Sequence, residues 1–429
     1  MLKISLGRYS ESARFVAFAL LMLLYVCSIV MLYRYDVVAN GLYFSFGFDS
    51  DLLPITIIVV WFFGVLNLGA IGDYRRIDSA YKLFSLMFIL IVSLPTLLFA
   101  DLAVGDFKGA IFFDMALVSV VLSLLTRVSV FGVLARYPLR FGAYYVPVFI
   151  CLFYIVYMYF LYPGELRLVD LNSVYELREQ AKNVQGDFLK YFVGFIFGVA
   201  APFCLVFGLY KRNVFFVIAA IASYLLFYMS AGHKSAIITV ALVVLIYFLS
   251  ERLTVRFALC MAVLGMTSIF LMDWYFFHGI VAAFTFDRMI VAPSSLTIMY
   301  YDFFQDNPKF FLSHSVLSGL FDNPYAVTPQ QVIGSAYFSN DWANVNFVGE
   351  GFANFGRLGV FFYALFVIFA VKVYDLLSRD LPARVRLSLF VPALFYLLNA
   401  SPLTLMLSGG YVGLILVLYV RARQRHGYS

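Results

Sequence analysis

The segment Leu83–Ala100, LFSLMFILIVSLPTLLFA, contains 18 residues and no charged side chain, and Lys82 and Asp101 flank it. An α-helix needs about 20 mainly apolar residues to cross the hydrocarbon core of a bilayer, so the segment predicts a membrane-spanning helix. Eleven further runs are similar, and the predicted spans lie near residues 15–33, 52–71, 83–100, 109–125, 141–161, 188–209, 214–230, 235–249, 257–273, 358–374, 387–399 and 405–420. The pattern predicts an all-α polytopic membrane protein with about 12 transmembrane helices.

The composition excludes a soluble enzyme and a disordered chain. Of the 429 residues, 63% are hydrophobic and 13% are charged, whereas a soluble domain is about half apolar and a quarter charged. Too little polar surface remains to cover a water-soluble body. The four cysteines lie in apolar runs without the spacing of metal ligands, so neither a disulfide framework nor a zinc site is expected.

The loop charges predict that both termini are cytoplasmic. With that orientation, the cytoplasmic segments carry 20 of the 30 basic residues and 6 of the 24 acidic residues. Cytoplasmic loops of membrane proteins are enriched in Lys and Arg. The net charge of +6 therefore reflects this bias and does not indicate nucleic-acid binding.

Two long non-cytoplasmic loops are predicted within a single integral membrane domain over residues 1–429. One covers residues 162–187 and the other covers residues 274–357. A long ordered loop on one side of a membrane protein is usually functional. Both contain aromatic residues, so we expect them to be partly helical and to pack against the membrane domain.

The shorter loop contains the pattern of an amphipathic helix. Ser173 and Glu176 fit a capping box, and Tyr175, Arg178 and Lys182 share one face of the helix that follows. Either this face lies against lipid headgroups, or Arg178 points into a central cavity and binds an anion.

Two further basic residues are candidates for anion binding. Arg288 lies between hydrophobic segments, where an ionisable residue is a functional candidate. The alternative is a structural ion pair with Asp287 or Asp273. Lys234 follows Gly232 and His233 at the outer tip between two spans. It either begins a helix whose N-terminus attracts an anion or extends to the headgroups.

The end of the longer loop predicts a polar helix face. If a helix begins near Asn346, then Asn346, Glu350 and Asn354 lie on one face by their i, i+4 spacing. We expect this face to meet a water-filled cavity rather than lipid. Asn344 or Asn346 could also be the N-cap of that helix.

These segments, which cover about 165–360, resemble the Wzy-type O-antigen polymerases, or oligosaccharide repeat-unit polymerases. This chain departs from the family in one respect. Some members have a glycine eleven positions after the arginine of each loop, whereas this chain has Leu189 at that distance from Arg178 and Met299 at that distance from Arg288. The features that carry the resemblance are Tyr175–Arg178, Gly232–Lys234, the run from Arg288 to Ser294, and the run from Asn344 to Gly356 and Gly359.

The resemblance implies a GT-C-like glycosyltransferase of the bacterial inner membrane whose active site faces the periplasm. Its donor would be a growing glycan on undecaprenyl diphosphate, and its acceptor a repeat unit on the same carrier. Undecaprenyl diphosphate would leave as the bond forms. The implied enzyme needs no metal or cofactor, inverts the anomeric centre, and works with a chain-length regulator of the Wzz type.

The resemblance also assigns roles to residues. The diphosphate would be bound by Arg178, Arg288, Lys234 and His233, because fixed cations stabilise the charge that develops on a leaving group and arginine binds phosphate oxygens bidentately. Glu350 is the first candidate for the base that deprotonates the acceptor hydroxyl, and His314 is the second. The remaining candidates for substrate binding are Tyr175, Lys182, Asn344 and Asn346.

Three alternatives stay open. An O-antigen ligase would have a similar layout of spans and a large outer loop. A metal-dependent membrane glycosyltransferase would use Asp49-Ser50-Asp51 as a DxD site for a divalent cation. A lipid-linked oligosaccharide flippase would exploit Asp114, a charge deep inside the fourth span, although such transporters usually have repeated halves.

Overall fold

The computed structural model describes residues 2–40, 53–72, 75–103, 105–128, 145–161, 192–231, 235–315, 321–338, 342–406 and 408–425. Within these ranges the secondary structure is helical, and no strand occurs. The helices are α1 Leu2–Leu32, α2 Leu53–Ile71, α3 Ala80–Phe88, α4 Leu94–Leu102, α5 Lys108–Leu125, α6 Val146–Leu161, α7 Ala201–Lys211, α8 Val214–Ala231, α9 Ser235–Leu249, α10 Val255–Met272, α11 Ile280–Phe284, α12 Ala292–Asp306, α13 Pro329–Tyr337, α14 Phe347–Ser378, α15 Ala383–Asn399, α16 Pro402–Met406 and α17 Tyr411–Arg425.

Seven helical segments of the described chain are long and apolar enough to cross a membrane. Each coincides with one of the predicted spans. The protein is therefore an all-α, membrane-embedded protein. The seven are Glu11–Val38, Leu53–Ile71, Ala80–Leu102, Lys108–Leu125, Phe192–Lys211, Val255–Phe277 and Phe347–Ser378. Three shorter apolar helices, Val146–Leu161, Val214–Ser230 and Ala236–Leu249, coincide with three further predicted spans.

Several long helices are interrupted by a π-helical turn, and proline explains three of these turns. The turns Ile89–Ser93, Ile196–Ala200 and Asp287–Val291 each lead directly into a helix with proline in its first two positions. Proline has no N–H group, and its ring clashes with the carbonyl group four residues earlier. Widening the preceding turn relieves that clash without ending the helix.

The chain divides into two compact units. The first unit contains residues 1–77, 82–128 and 252–368, and the second contains residues 78–81, 129–251 and 369–429. In the first unit, α1 packs on α2 and α10, and α12 packs on α4. In the second unit, α8 packs on α6 and α7, and α9 packs on α15.

The segment predicted as the large outer loop, residues 274–357, is largely helical in the first unit. It contains α11, α12, α13 and the beginning of α14. Most of α12 is completely buried, including Ser294, Ser295 and Thr297. The hydroxyl of Thr297 donates to the carbonyl of Pro293 at 2.7 Å. Such internal hydrogen bonds allow a helix of low hydropathy to lie in the interior.

Close backbone contacts characterise the second unit. A Cβ atom on Gly194 or Gly198 would collide with the carbonyl oxygens of Ser408 and Gly409 respectively. Small residues four positions apart allow backbones to approach closely in membrane proteins. Residues 408–410, which precede α17, therefore pack directly on the helix that contains Gly194 and Gly198.

Candidate active site

Helix α14 is sharply broken at Phe355 and Gly356. Gly356 has φ 61° and ψ −146°, a conformation that is essentially restricted to glycine. A Cβ atom on Gly351 would lie 2.7 Å from the carbonyl oxygen of Gly359. Eight residues span about 12 Å in a straight helix, so the chain after the break turns back against the first half. The first half, residues 347–354, is therefore a short helix of its own.

A loop docks on the end of this short helix. The N–H groups of Phe310 and Phe311 donate to the carbonyl oxygens of Ala353 and Asn354, at 3.0 and 3.2 Å. The N–H of Leu312 donates to Oδ1 of Asn354 at 2.9 Å. These bonds satisfy carbonyl groups that a helix end leaves without partners, and they fix the position of the residues that follow.

Two residues of this loop have strained backbones. Phe311 has φ 47° and Leu312 has φ 65°. Residues other than glycine rarely adopt the left-handed region, and each such residue costs about 1–3 kcal/mol. Backbone strain of this kind clusters at functional sites. Here it directs the chain toward His314, two residues after Leu312.

His314, which is partly buried, pairs with the fully buried Glu350. Its Nε2 lies 3.0 Å from Oε1 of Glu350. The carboxylate is fully enclosed, and its second oxygen accepts a hydrogen bond from Nε2 of Gln330 at 3.3 Å. Nδ1 of His314 has no hydrogen-bond partner among the described residues. When Nε2 donates to Glu350, Nδ1 holds the lone pair and can accept a proton.

The polar face predicted around Glu350 is completely buried. Oδ1 of Asn346 accepts hydrogen bonds from the N–H groups of Val348 and Gly349, so Asn346 is the N-cap of α14. Its Nδ2 donates to Oγ1 of Thr297 at 2.8 Å. Asn354 binds Leu312, as described, and also the hydroxyl of Tyr363. The expectation of a water-filled cavity is wrong for these side chains, because the protein itself supplies their partners.

The second half of α14 begins with an arginine that is paired with a buried aspartate. Nε of Arg357 donates to Oδ1 of Asp114 at 3.0 Å, and the hydroxyl of Tyr301 donates to Oδ2 of Asp114 at 2.9 Å. The guanidinium also lies 4.5 Å from the ring centre of Phe113. The side chain of Arg357 remains 52% exposed, so its terminal nitrogens stay accessible at the break.

A lysine lies beside the same break. The Cε atom of Lys309 is 3.7 Å from the position of a Cβ on Gly356, and its Nζ lies 4.7 Å from the ring centre of Phe352. That ring stacks on Tyr301 at 3.8 Å. Partial burial lowers the pKa of Lys309, and Asp306 opposes this effect. Lys309 and Arg357 therefore provide two cations next to Gly356.

Arg288 and Asn344 are exposed in the structure. Arg288 belongs to the π-helical turn Asp287–Val291. The neighbouring Asp287 is buried, and its Oδ1 has no partner among the described residues. Burial raises the pKa of Asp287 to about 6, and Arg288 opposes this shift. Asp273 accepts hydrogen bonds from the N–H groups of Val281 and Ala282.

Several residues predicted from the sequence lie outside the described residues. The structure therefore says nothing about their positions. They are Tyr175, Arg178, Lys182, His233, Lys234, Asp49 and Asp51.

Three contributors to this site were missed from the sequence: Gln330, Lys309 and Arg357. Arg357 had a detectable signal, because it is an isolated charge before the apolar run that begins at Leu358. An isolated charge in a membrane helix usually has a partner, and Asp114 was the isolated acid available for it. Gln330 and Lys309 carry no comparable signal.

The comparisons with known proteins give no neighbour for this chain. No protein-family model, no curated protein and no solved structure matches it. In the described part of the chain, no group of three or more His, Cys, Asp or Glu side chains could hold a metal ion. The candidate site consists of the His314–Glu350 pair and of Arg357 and Lys309 beside the helix break.

Proposed function

We propose that the protein is a membrane glycosyltransferase that polymerises lipid-linked O-antigen repeat units. It transfers the growing glycan from undecaprenyl diphosphate to the non-reducing-end hydroxyl of a repeat unit on the same carrier. The observation that carries the proposal is the pair of His314 and Glu350, held beside a helix break that also presents Arg357. The sequence resemblance to the polymerase family supports the choice of substrate.

His314 is the general base in this mechanism. Its Nδ1 is enclosed in the structure, and once it is opened to the substrate it takes the proton of the acceptor hydroxyl as the hydroxyl oxygen bonds to the anomeric carbon. Glu350 orients the imidazole and stabilises its protonated form. Both carboxylate oxygens of Glu350 are engaged in hydrogen bonds, whereas Nδ1 of His314, which is enclosed as well, has no partner among the described residues. The role of base that the sequence suggested for Glu350 therefore passes to His314, and Glu350 is a positioning residue.

The cations stabilise the leaving group. As the bond between the anomeric carbon and the phosphate oxygen breaks, its electron pair and the growing negative charge move onto undecaprenyl diphosphate. Arg357 offers its terminal nitrogens at the break, and Lys309 lies in the loop that also carries His314. Fixed cations in a partly dry site are effective for this purpose. Arg288 and, by resemblance, Arg178, Lys234 and His233 complete the diphosphate site.

The remaining features of the proposal follow from the sequence. The protein spans the bacterial inner membrane about 12 times with both termini cytoplasmic, and the His314 site faces the periplasm, as in GT-C-like enzymes. Exposed Asn344 binds sugar hydroxyls, with Tyr175 and Lys182. A chain-length regulator associates with the enzyme, and no metal or cofactor takes part. Single displacement inverts the anomeric centre.

The test is the surface glycan of a deletion strain, with its lipid-linked pool measured in parallel. A polymerase predicts that the long glycan ladder collapses to lipid A–core with one repeat unit. Long glycan on undecaprenyl diphosphate with bare core would instead indicate a ligase. Single repeat units retained on the cytoplasmic side would indicate a flippase, and either result would overturn the proposal.

A further inference from the structure

A groove on the surface of the first unit lies between α1 and α2. Its volume is about 670 Å³, which is in the range of ligand-binding sites, about 300–1,000 Å³. Most of its walls are apolar: Phe15, Phe18, Trp61, Phe62, Val65 and Leu66. The indole N–H of Trp61 donates to the carbonyl of Ala19 at 2.7 Å and holds the ring in the wall.

One end of the groove is polar, and two further arginines lie at its edge. Glu11, Arg14 and Gly69 line this end. Arg256 donates to the carbonyl oxygen of Arg14, and its guanidinium lies 5.8 Å from the ring centre of Phe18. Arg127 donates to the carbonyl of Ala70, the residue after Gly69, at 3.1 Å. Arg14 and Glu11 therefore line this end, and Arg256 and Arg127 lie next to it, each bonded to a backbone carbonyl at its edge.

The position of the groove restricts its occupant. The apolar walls belong to two helices that are long and apolar enough to cross a membrane, and the arginines lie at the ends of such helices. An occupant must therefore place an apolar chain along the helices and an anionic group where the helices end. Basic pockets between membrane helices bind the headgroups of anionic lipids, and arginine binds phosphate oxygens bidentately.

We propose that this groove binds an anionic glycerophospholipid. One acyl chain lies against Trp61 and Phe62, and the headgroup phosphate binds at Arg14, Arg127 and Arg256. Glu11 weakens binding but leaves the net local charge positive. The proposal is independent of the glycosyltransferase reaction, because none of these residues belongs to the His314 site.

Quenching of Trp61 fluorescence tests the proposal on the full-length chain. The chain has three tryptophans, so the substitutions Trp274→Phe and Trp342→Phe leave Trp61 as the only one. The protein is reconstituted in nanodiscs of unbrominated phosphatidylcholine with a small fraction of brominated phosphatidylglycerol, or of brominated phosphatidylcholine in the same fraction. We expect brominated phosphatidylglycerol to quench well above its mole fraction, and brominated phosphatidylcholine to quench only in proportion to it.

Arginine variants identify the headgroup site. Arg127→Gln or Arg256→Gln should each lower the preference for phosphatidylglycerol about fivefold, which corresponds to about 1 kcal/mol per arginine. Arg379→Gln is the matched control, because Arg379 is an exposed arginine of the second unit, and it should leave quenching unchanged. Helical content and monodispersity of each variant show that the fold is retained.

Three results would overturn the proposal. Equal quenching by the two brominated lipids would show that the groove does not select an anionic headgroup. Unchanged quenching in both folded arginine variants would remove the headgroup site. Recovery of fluorescence with undecaprenyl phosphate, at a lower fraction than with unbrominated phosphatidylglycerol, would show that the groove prefers a polyprenyl chain to an acyl chain.

Discussion

The two units use the same kind of apolar helix but bury different side chains. The first unit buries Asp114, Asn346, Glu350 and Asn354, and each has hydrogen-bond partners. Removing one ionised group from water costs several kcal/mol even in a relaxed protein. Polar groups buried at such cost in membrane proteins are usually functional. The first unit therefore contains the buried polar groups on which the proposed reaction site rests.

The second unit buries groups that have a structural explanation. Cys151 and Cys204 are buried, with their sulfur atoms 3.8 Å apart. Gly194 and Gly198 permit close backbone packing. Asp375, which is only partly buried, accepts hydrogen bonds from the N–H groups of Ala80 and Tyr81, at 2.7 and 2.9 Å. The difference between the units teaches that buried polarity alone is not a signal of chemistry. A more specific signal of chemistry is a nitrogen without a partner beside a buried carboxylate, as at Nδ1 of His314 beside Glu350.

The largest effect is expected for His314→Ala in the first unit. Loss of a positioned base lowers rates by about 10²- to 10⁴-fold, so the long glycan ladder should disappear while the protein still inserts in the membrane. The measurement is a surface-glycan gel with a membrane immunoblot. His278→Asn is the matched control: His278 is exposed and left-handed, and asparagine tolerates that conformation. Normal ladders from both variants would contradict the role of His314.

A smaller effect is expected for Arg357→Ala, which acts on both stability and activity. It leaves Asp114 buried with one partner fewer, and breaking such a pair costs up to about 3–5 kcal/mol, less here because Arg357 is half exposed. The double variant Asp114→Asn with Arg357→Met should recover thermal stability without recovering polymer synthesis. Recovery of both in the double variant would show that the pair is only structural.

Gly198→Ala should reveal a purely structural effect in the second unit. The added methyl group would meet the carbonyl of Gly409, and overpacking of a tight contact costs about 1–3 kcal/mol. We expect a lower unfolding temperature in detergent and an unchanged rate per folded molecule. Gly265→Ala is the control, because nothing lies within 4 Å of a Cβ there. A reduced rate in a Gly198→Ala protein of unchanged stability would contradict a purely structural role of this contact in the second unit.

An effect on stability of similar size is the pH dependence that Asp287 imposes on the first unit. Its pKa of about 6 in the folded protein lies above the usual value near 3.8. The folded state therefore binds the proton more tightly, and stability falls as the pH rises from about 4 to about 6. Two pKa units correspond to about 2–3 kcal/mol. Asp287→Asn should abolish this loss in thermal unfolding curves, and an unchanged pH dependence would contradict the assignment.

The membrane helices could be predicted because hydropathy is a local property. The run from Leu83 to Ala100 coincides with α3, α4 and the π-helical turn between them. The burial of α12 could not be predicted, because Ser294, Ser295 and Thr297 lower its hydropathy and their hydrogen bonds appear only in the fold. The sequence offered Asn344 or Asn346 as the N-cap of an early helix start, and Asn346 is the N-cap of α14; such a signal can be detected because capping chemistry is local as well.

The candidate site was only partly predictable, because its contacts join residues that are far apart in the sequence. Glu350 and His314 were both proposed, but as alternatives, since their 36-residue separation conceals the contact between them. Arg357 and Asp114 are 243 residues apart. The break at Gly356 was hidden because its residues read as one continuous entrance to a membrane helix. Contacts distant in sequence depend on packing, and no local pattern contains them.

Polymerisation by the purified protein tests the central claim most directly. The wild type and Glu350→Gln are reconstituted in proteoliposomes with undecaprenyl-diphosphate-linked repeat units and a metal chelator, and kcat and KM are measured. We predict that the wild type forms polymer and releases undecaprenyl diphosphate, and that Glu350→Gln lowers kcat at least about tenfold with little change in KM. Absence of polymer from the folded wild type, or a normal kcat in Glu350→Gln, would contradict the account.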